Sequence, residues 1–288
     1  MDSTRRTLLG LGAAAPFFAV AACMQRAAAE PYRFGNSEKE ALSIASEAHM
    51  DLMAYPGLNM HGAEKIAMVC YEGMTMLDLV GPQYFFSSLM GAQVLLVTQD
   101  PAMKPIMGDT GFAILPTATF DTCPADLDVL FVGGGTMGTV RAMEDEAFVD
   151  FIADRGSRAK HITSVCTGSL ILGQAGLLKG KRATSHWATR HLLPEFGATE
   201  VNARVVQDGN VLTGAGVSAG LDFALALIGV LRGRPYAEAL QLQGEYSPEP
   251  PFDAGTLETI DPALGTPMHE MFASALFAMK QASATRRK

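Results

Sequence analysis

The chain has 288 residues, enough for one large domain with appendages or for two small ones. Its formal charge of -8 leaves no basic footprint, so no nucleic-acid partner is expected. Hydrophobic residues make up 48% of the chain, yet no apolar run beyond the N-terminus approaches the roughly 20 residues that span a bilayer.

The first segment reads as a targeting signal. Thr4-Arg5-Arg6-Thr7-Leu8-Leu9 has the paired arginines of a twin-arginine export signal, and residues 8–22 follow as a moderately apolar stretch with no polar face. Two processing sites compete. Val20-Ala21-Ala22-Cys23 resembles a lipobox that would leave a lipidated Cys23, whereas Ala27-Ala28-Ala29 before Glu30 suits ordinary signal-peptidase cleavage. On either route the mature protein is expected in the periplasm or cell envelope, with membrane attachment only through that lipid. Residues 1–29 are therefore set aside as signal and 30–63 as a polar linker, with a helix over 37–53.

From Lys65 onward strands and helices alternate. Residues 66–70 form a first strand, 82–90 a helix opened by Pro82, and 93–98 a second strand. Residues 106–107 and 112–115, joined by Gly108-Asp109-Thr110-Gly111, read as a hairpin. A strand over 127–132 leads into a glycine turn, a helix over 145–158 and a strand over 161–165. Strands at 201–206 and 211–213 flank Asp208-Gly209-Asn210, and 218–231 is apolar enough for a buried helix. Repeated units of this length imply an α/β fold, a mostly parallel sheet sandwiched by helices, over 64–255. Residues 248–267 read as an extended arm before a last helix over 268–282, so that 256–288 forms a C-terminal arm and helix.

The strand at 161–165 runs straight into Cys166-Thr167-Gly168-Ser169 and a helix-spaced apolar set. A thiol at such a turn sits near unpaired backbone N–H groups and the positive end of a helix dipole, both of which favour thiolate. The turn alone is equally consistent with a buried structural cysteine. Setting Cys23 aside leaves Cys70, Cys123 and Cys166, an odd number, so at least one thiol stays free; a Cys70–Cys123 disulfide remains open. His186 and His191 lie five apart, off the spacing of a helical metal pair, and no metal is expected.

Gly133-Gly134-Gly135-Thr136-Met137-Gly138 satisfies the G-x-G-x-x-G dinucleotide pattern. The ribose-holding acid that pattern needs at the end of the next strand is missing, because that strand ends in Ser164-Val165-Cys166. A better use for Gly134 and Gly135 is to bring backbone N–H groups close to a substrate. Asp78, a lone carboxylate between Leu77 and Leu79, reads either as a cap or as an acid of raised pKa that passes a proton. Thr167 caps the next helix or sets its hydroxyl beside the thiol. His186 lines a pocket or packs on Trp187.

Residues 163–173 with Ala175-Gly176-Leu177-Leu178 resemble the ThiJ/PfpI superfamily of class I glutamine-amidotransferase-like, flavodoxin-like folds, and within it the isonitrile hydratases. Residues 77–82, 183–187, 212–217, 220–225 and 245–253 are similar to that group as well, so the resemblance covers about 66–255. It implies Cys166 as nucleophile with Asp78 and Thr167 as partners, no cofactor, and a homodimer. The expected activity is hydration of an isonitrile to an N-substituted formamide. Two alternatives are glyoxalase or deglycase chemistry on 2-oxoaldehydes, and a non-catalytic redox-sensing or binding role in the envelope. Thr167 stands where peptidase-like members carry His, which argues against proteolysis.

Overall fold

A computed structural model describes residues 33–285. The expectations for Arg5, Arg6, Cys23 and Glu30, and the basic tail 286–288, lie outside the described residues. The chain divides into two units, Met1–Ala48 and His49–Lys288. In the first, Arg33 pairs with Glu47 at 2.8 Å, and the Asn36 N–H donates to the Glu40 carboxylate. Helix α1 (Glu38–Ala54) starts there and matches the helix read from sequence.

The second unit holds everything else. Its elements are β1 (Lys65–Val69), α2 (Met76–Phe86), β2 (Gln93–Thr98), β3 (Ile106–Met107), β4 (Ala113–Ile114), β5 (Ala118–Thr119), β6 (Val129–Val132), α3 (Met137–Glu144) and α4 (Glu146–Arg158). There follow β7 (His161–Val165), α5 (Gly168–Gln174), β8 (Arg182–Ala183), a 3-10 helix (Arg190–Phe196), β9 (Thr199–Glu200), β10 (Val205–Asp208) and β11 (Val211–Gly214). The unit ends with α6 (Ala219–Arg232), α7 (Arg234–Gln243), α8 (Pro262–Glu270) and α9 (Ala273–Thr285).

Seven strands form one sheet in the order β10-β11-β7-β6-β1-β2-β5, parallel except where β10 meets β11. Every residue of β6 is buried, as are four of five in β1 and in β7. Near-continuous apolar strands of this kind belong to a sheet covered on both faces. The chain runs outward from β1 through β2 to β5, then returns to lay β6 against the other side of β1. A reversal of this kind opens a crevice at the carboxyl ends of the two strands, where open α/β sheets bind ligands.

Four expectations need correction, the first being the strand over 201–206: residues 201–204 are not strand, and β10 starts only at Val205. The helix after β1 starts at Met76, not at Pro82, which sits inside it. Pro82 has no N–H to give the Asp78 carbonyl, a loss that normally disfavours a helix interior. Packing against α6 compensates: a Cβ added at Gly220 would stand 3.2 Å from Pro82 Cδ. The glycine turn after β6 continues into α3, whose buried Gly138, Thr139 and Val140 carry too little apolar periodicity to announce a helix. The extended arm contains α8, because the Asp261 carboxylate accepts the Ala263 N–H at 2.9 Å and Pro262 falls in the first turn, where its missing N–H costs nothing.

Candidate active site

The reactive-type groups converge on the carboxyl ends of β1, β6 and β7. Cys166 directly follows β7 and has φ +59°, a left-handed conformation that costs a non-glycine residue roughly 1–3 kcal/mol. Hydrogen bonds hold it there. Its N–H donates to the Ala215 carbonyl at 2.8 Å, and its own carbonyl accepts the Ser169 and Ser185 hydroxyls, each at 3.1 Å. The residue is only 4% exposed. Val217 faces it from the loop after β11, also at positive φ, +35°, which is rare for a β-branched residue. The backbone N–H groups of Val217 and Thr167 both point at the Cys166 sulfur.

Asp78 reaches the same point from the first turn of α2 and is fully buried. One carboxylate oxygen, Oδ2, accepts the Gly134 N–H at 2.9 Å, and Oδ1 has no hydrogen-bond partner. A buried carboxylate oxygen without a donor penalises the charged form. Burial pushes the Asp78 pKa from an ordinary 3.8 up to about 7, against the opposing pull of the Gly134 N–H and the Cys166 side chain. The expected lowering of the thiol pKa does not emerge. Burial raises it, the Asp78 charge raises it further, and the two N–H groups offset only part of that. Thiol and carboxyl therefore act as a coupled pair whose two ionisations oppose each other.

Gly134 is required by close approach. A Cβ there would stand 2.5 Å from both the Thr167 nitrogen and its hydroxyl, and 2.9 Å from Asp78 Oδ2. The N–H groups of the two glycines are committed within the protein, however, not offered to a substrate: Gly134 donates to Asp78, and Gly135 donates to Thr167 Oγ1 at 2.9 Å. The Thr167 hydroxyl in turn donates to the Gly135 carbonyl at 2.7 Å and makes no capping bond on α5. Of its two expected roles, the cap is not made. It is a positioning residue that clamps the β6 turn to the β7 turn.

Sequence reasoning missed the support behind this clamp. Thr139 of α3 lies 2.8 Å from the Thr167 hydroxyl, and Tyr71 joins Thr139 at 3.1 Å and the Gly133 carbonyl at 2.9 Å. The signal for Thr139 was its place four residues after Gly135, on the inner face of a helix hidden by its glycine.

A cavity of about 140 Å³ opens above the thiol, lined by Gly135, Cys166, Thr167, His186, Val217 and residues of the C-terminal helix. Asp78 lies behind the thiol and does not line it. His186 fulfils both of its readings: it lines the cavity, and its ring centroid lies 5.4 Å from that of Trp187. Burial, with the Arg190 charge, lowers its pKa to about 4, and its Nδ1 accepts the Ala188 N–H at 3.3 Å. It is a neutral ring with its proton on Nε2, a donor and not a base. Cys70, Cys123 and Cys166 are all free, so the Cys70–Cys123 disulfide is not formed, and no group of three potential metal ligands occurs among the described residues. A larger cleft of about 360 Å³, lined in part by Cys70, Lys104 and Arg141, contains none of the expected site residues.

Fold and site together define an α/β protein with a buried thiol–carboxyl pair at the switch point of a parallel sheet. Comparison with known proteins gives the family: residues 64–229 match the DJ-1/PfpI family, and the chain belongs to it. An isonitrile hydratase of Pseudomonas putida is 48% identical over 202 residues, covering 70% of this chain and 87% of that protein. The crystal structure of a ThiJ/PfpI family protein from Pseudomonas syringae superposes with a TM-score of 0.77 at 52% identity, covering 79% of this chain and 93% of the other. A deglycase of Pyrococcus horikoshii is 33% identical over 106 residues, 36% of this chain and 63% of its own length.

Proposed function

We propose that the protein hydrates isonitriles to N-substituted formamides, with Cys166 as nucleophile. The observation that carries this reading is the coupled Cys166–Asp78 pair, together with 48% identity to an isonitrile hydratase across most of that enzyme's length. With one proton on the pair, Asp78 takes it from the thiol, and the N–H groups of Val217 and Thr167 stabilise the thiolate formed. Sulfur attacks the terminal carbon of R–NC. Asp78 returns the proton to that same carbon, directly or through water, giving the thioimidate R–N=CH–S–Cys166. Water then adds to the carbon, one of its protons passing to nitrogen. Collapse expels the thiolate and hands the remaining hydroxyl proton to Asp78, releasing R–NH–CHO and restoring the pair.

The test is turnover of a simple isonitrile with chemical detection of the formamide, run beside methylglyoxal. Formamide production lost in Cys166→Ala supports the reading; activity on methylglyoxal alone moves the function to the glyoxalase and deglycase side, which the Pyrococcus relative represents. An inert protein whose Cys166 merely oxidises would be the envelope sensor. We also propose export on the Arg5-Arg6 pattern and a homodimeric assembly. Mass analysis of the mature N-terminus distinguishes a lipidated Cys23 from a free Glu30, and sedimentation reads the assembly.

A further inference from the structure

The far wall of the catalytic cavity comes from a part of the chain beyond the family match, which ends at residue 229. Phe272, Ala275, Leu276 and Met279, at the junction of α8 and α9 and along α9, complete the cavity above Cys166. Their spacing puts them on one helical face, three or four residues apart. The helix is fixed where it lies. Met279 is 2% exposed, and the Ala282 carbonyl accepts a hydrogen bond from Gln174 Nε2 at 3.0 Å, tying α9 to the helix that starts beside Cys166. At its other end the Phe272 ring sits 5.5 Å from His186 and 5.8 Å from Trp187, so the wall closes on the one polar ring that lines the cavity.

We infer that α9 is the substrate-selecting wall of this protein, and that it admits a small molecule carrying a compact, uncharged hydrocarbon group. The wall contributes only apolar side chains. The rest of the lining adds Val217, hydroxyls, backbone, the neutral His186 and the Cys166 sulfur, so apart from the nucleophile itself no charged side chain faces a substrate and an ionised R group would be desolvated with no dedicated partner. In an apolar pocket of this size each added methylene that fails to fit is worth roughly 1–3 kcal/mol, or about 10- to 200-fold in selectivity. This inference rests on the hydratase reading only for the nature of the reacting group.

Two assays separate the two. The first labels Cys166 with N-methylmaleimide and N-cyclohexylmaleimide and compares second-order rates by mass spectrometry in wild type, Leu276→Ala, Phe272→Ala and Ala275→Leu. The second measures kcat/KM for methyl and cyclohexyl isonitrile in the same proteins, each first shown to melt cooperatively. Opening the wall with Leu276→Ala or Phe272→Ala should raise the cyclohexyl-to-methyl labelling ratio by about fivefold or more, and Ala275→Leu should lower it. Labelling ratios within twofold of wild type in every cooperatively folded variant would overturn the wall. Shifted labelling ratios with no isonitrile turnover in wild type keep the wall and overturn the hydratase reading. Shifts in both, in the same direction, support both.

Discussion

The second unit buries two ionisable pairs, and it treats them in opposite ways. Arg232 and Glu64 pair beside the amino ends of β1 and β2, with side chains 2% and 14% exposed. All five guanidinium N–H groups are used: two on the Glu64 carboxylate and three on the carbonyls of Asn59, Met60 and Met90. Burial alone would raise the Glu64 pKa, yet the Arg232 fork outweighs it and the carboxylate is held below its ordinary value. Asp78 is as deeply placed, has one donor for two oxygens, and faces a thiol instead of a cation. One pair is satisfied and inert. The other is left short of partners, so its protons are movable at neutral pH.

The largest expected effect is on turnover: Cys166→Ala should bring isonitrile hydration down to the uncatalysed background while leaving cooperative unfolding intact, as stopped assays and a melting curve would record. Surviving turnover would erase the contrast, since the unsatisfied pair would then be as inert as the satisfied one. Next, Arg232→Met should cost about 3–5 kcal/mol in denaturant unfolding, because it strands Glu64 and three carbonyls, with kcat changed less than twofold. The mirror experiment is Asp78→Asn, expected to lower kcat by at least about a hundredfold, the scale of a lost general acid.

pH sharpens the comparison. The coupled pair sheds its first proton near the Asp78 value of about 7 and its second far higher, so kcat/KM should rise through pH 7 and hold well above it. Stability should run the other way. Asp78 is protonated in the fold up to about 7 but ionises near 3.8 when unfolded, so stability is lost as pH climbs through that window. Asp78→Asn should therefore match wild type near pH 3 and gain on it by up to a few kcal/mol at pH 8. Glu64, with its lowered pKa, contributes in the opposite sense: its stabilisation is present above the unfolded value and fades on acidification below it. The smallest effect is that of Tyr71→Phe, which removes the hydroxyl behind Thr139 and should cost about 1 kcal/mol with only a modest fall in kcat.

Much of this site was legible because it is local. The β-branched run 161–165 ending in Cys166 located the strand-to-helix turn, and the lone Asp78 among apolar neighbours stood out as a carboxylate with nowhere to be solvated. What stayed hidden depends on contacts distant in sequence. Pro82 looked like a helix opener because its packing on Gly220 is tertiary. The glycine amides looked free because Asp78 and Thr167, which consume them, arrive from α2 and from the turn after β7. Nothing in the sequence at 272–279 announces that it will meet Cys166, since an apolar helical face reads the same wherever it docks.

The commitment of those amides has one more consequence. The backbone N–H groups of Gly134, Gly135 and Cys166 donate respectively to Asp78, to Thr167, and to the carbonyls of Gly214 and Ala215. Loops that carry a reactive centre commonly exchange their amide hydrogens quickly, through small local openings. Here those hydrogens are buried links from the turns after β6 and β7 to α2, to the start of α5 and to the end of β11, so they should exchange as slowly as the amides of β6 and β7, and only when the whole sheet opens. The reactive turns thus belong to the same cooperative unit as the core, and loosening the site means unfolding the domain.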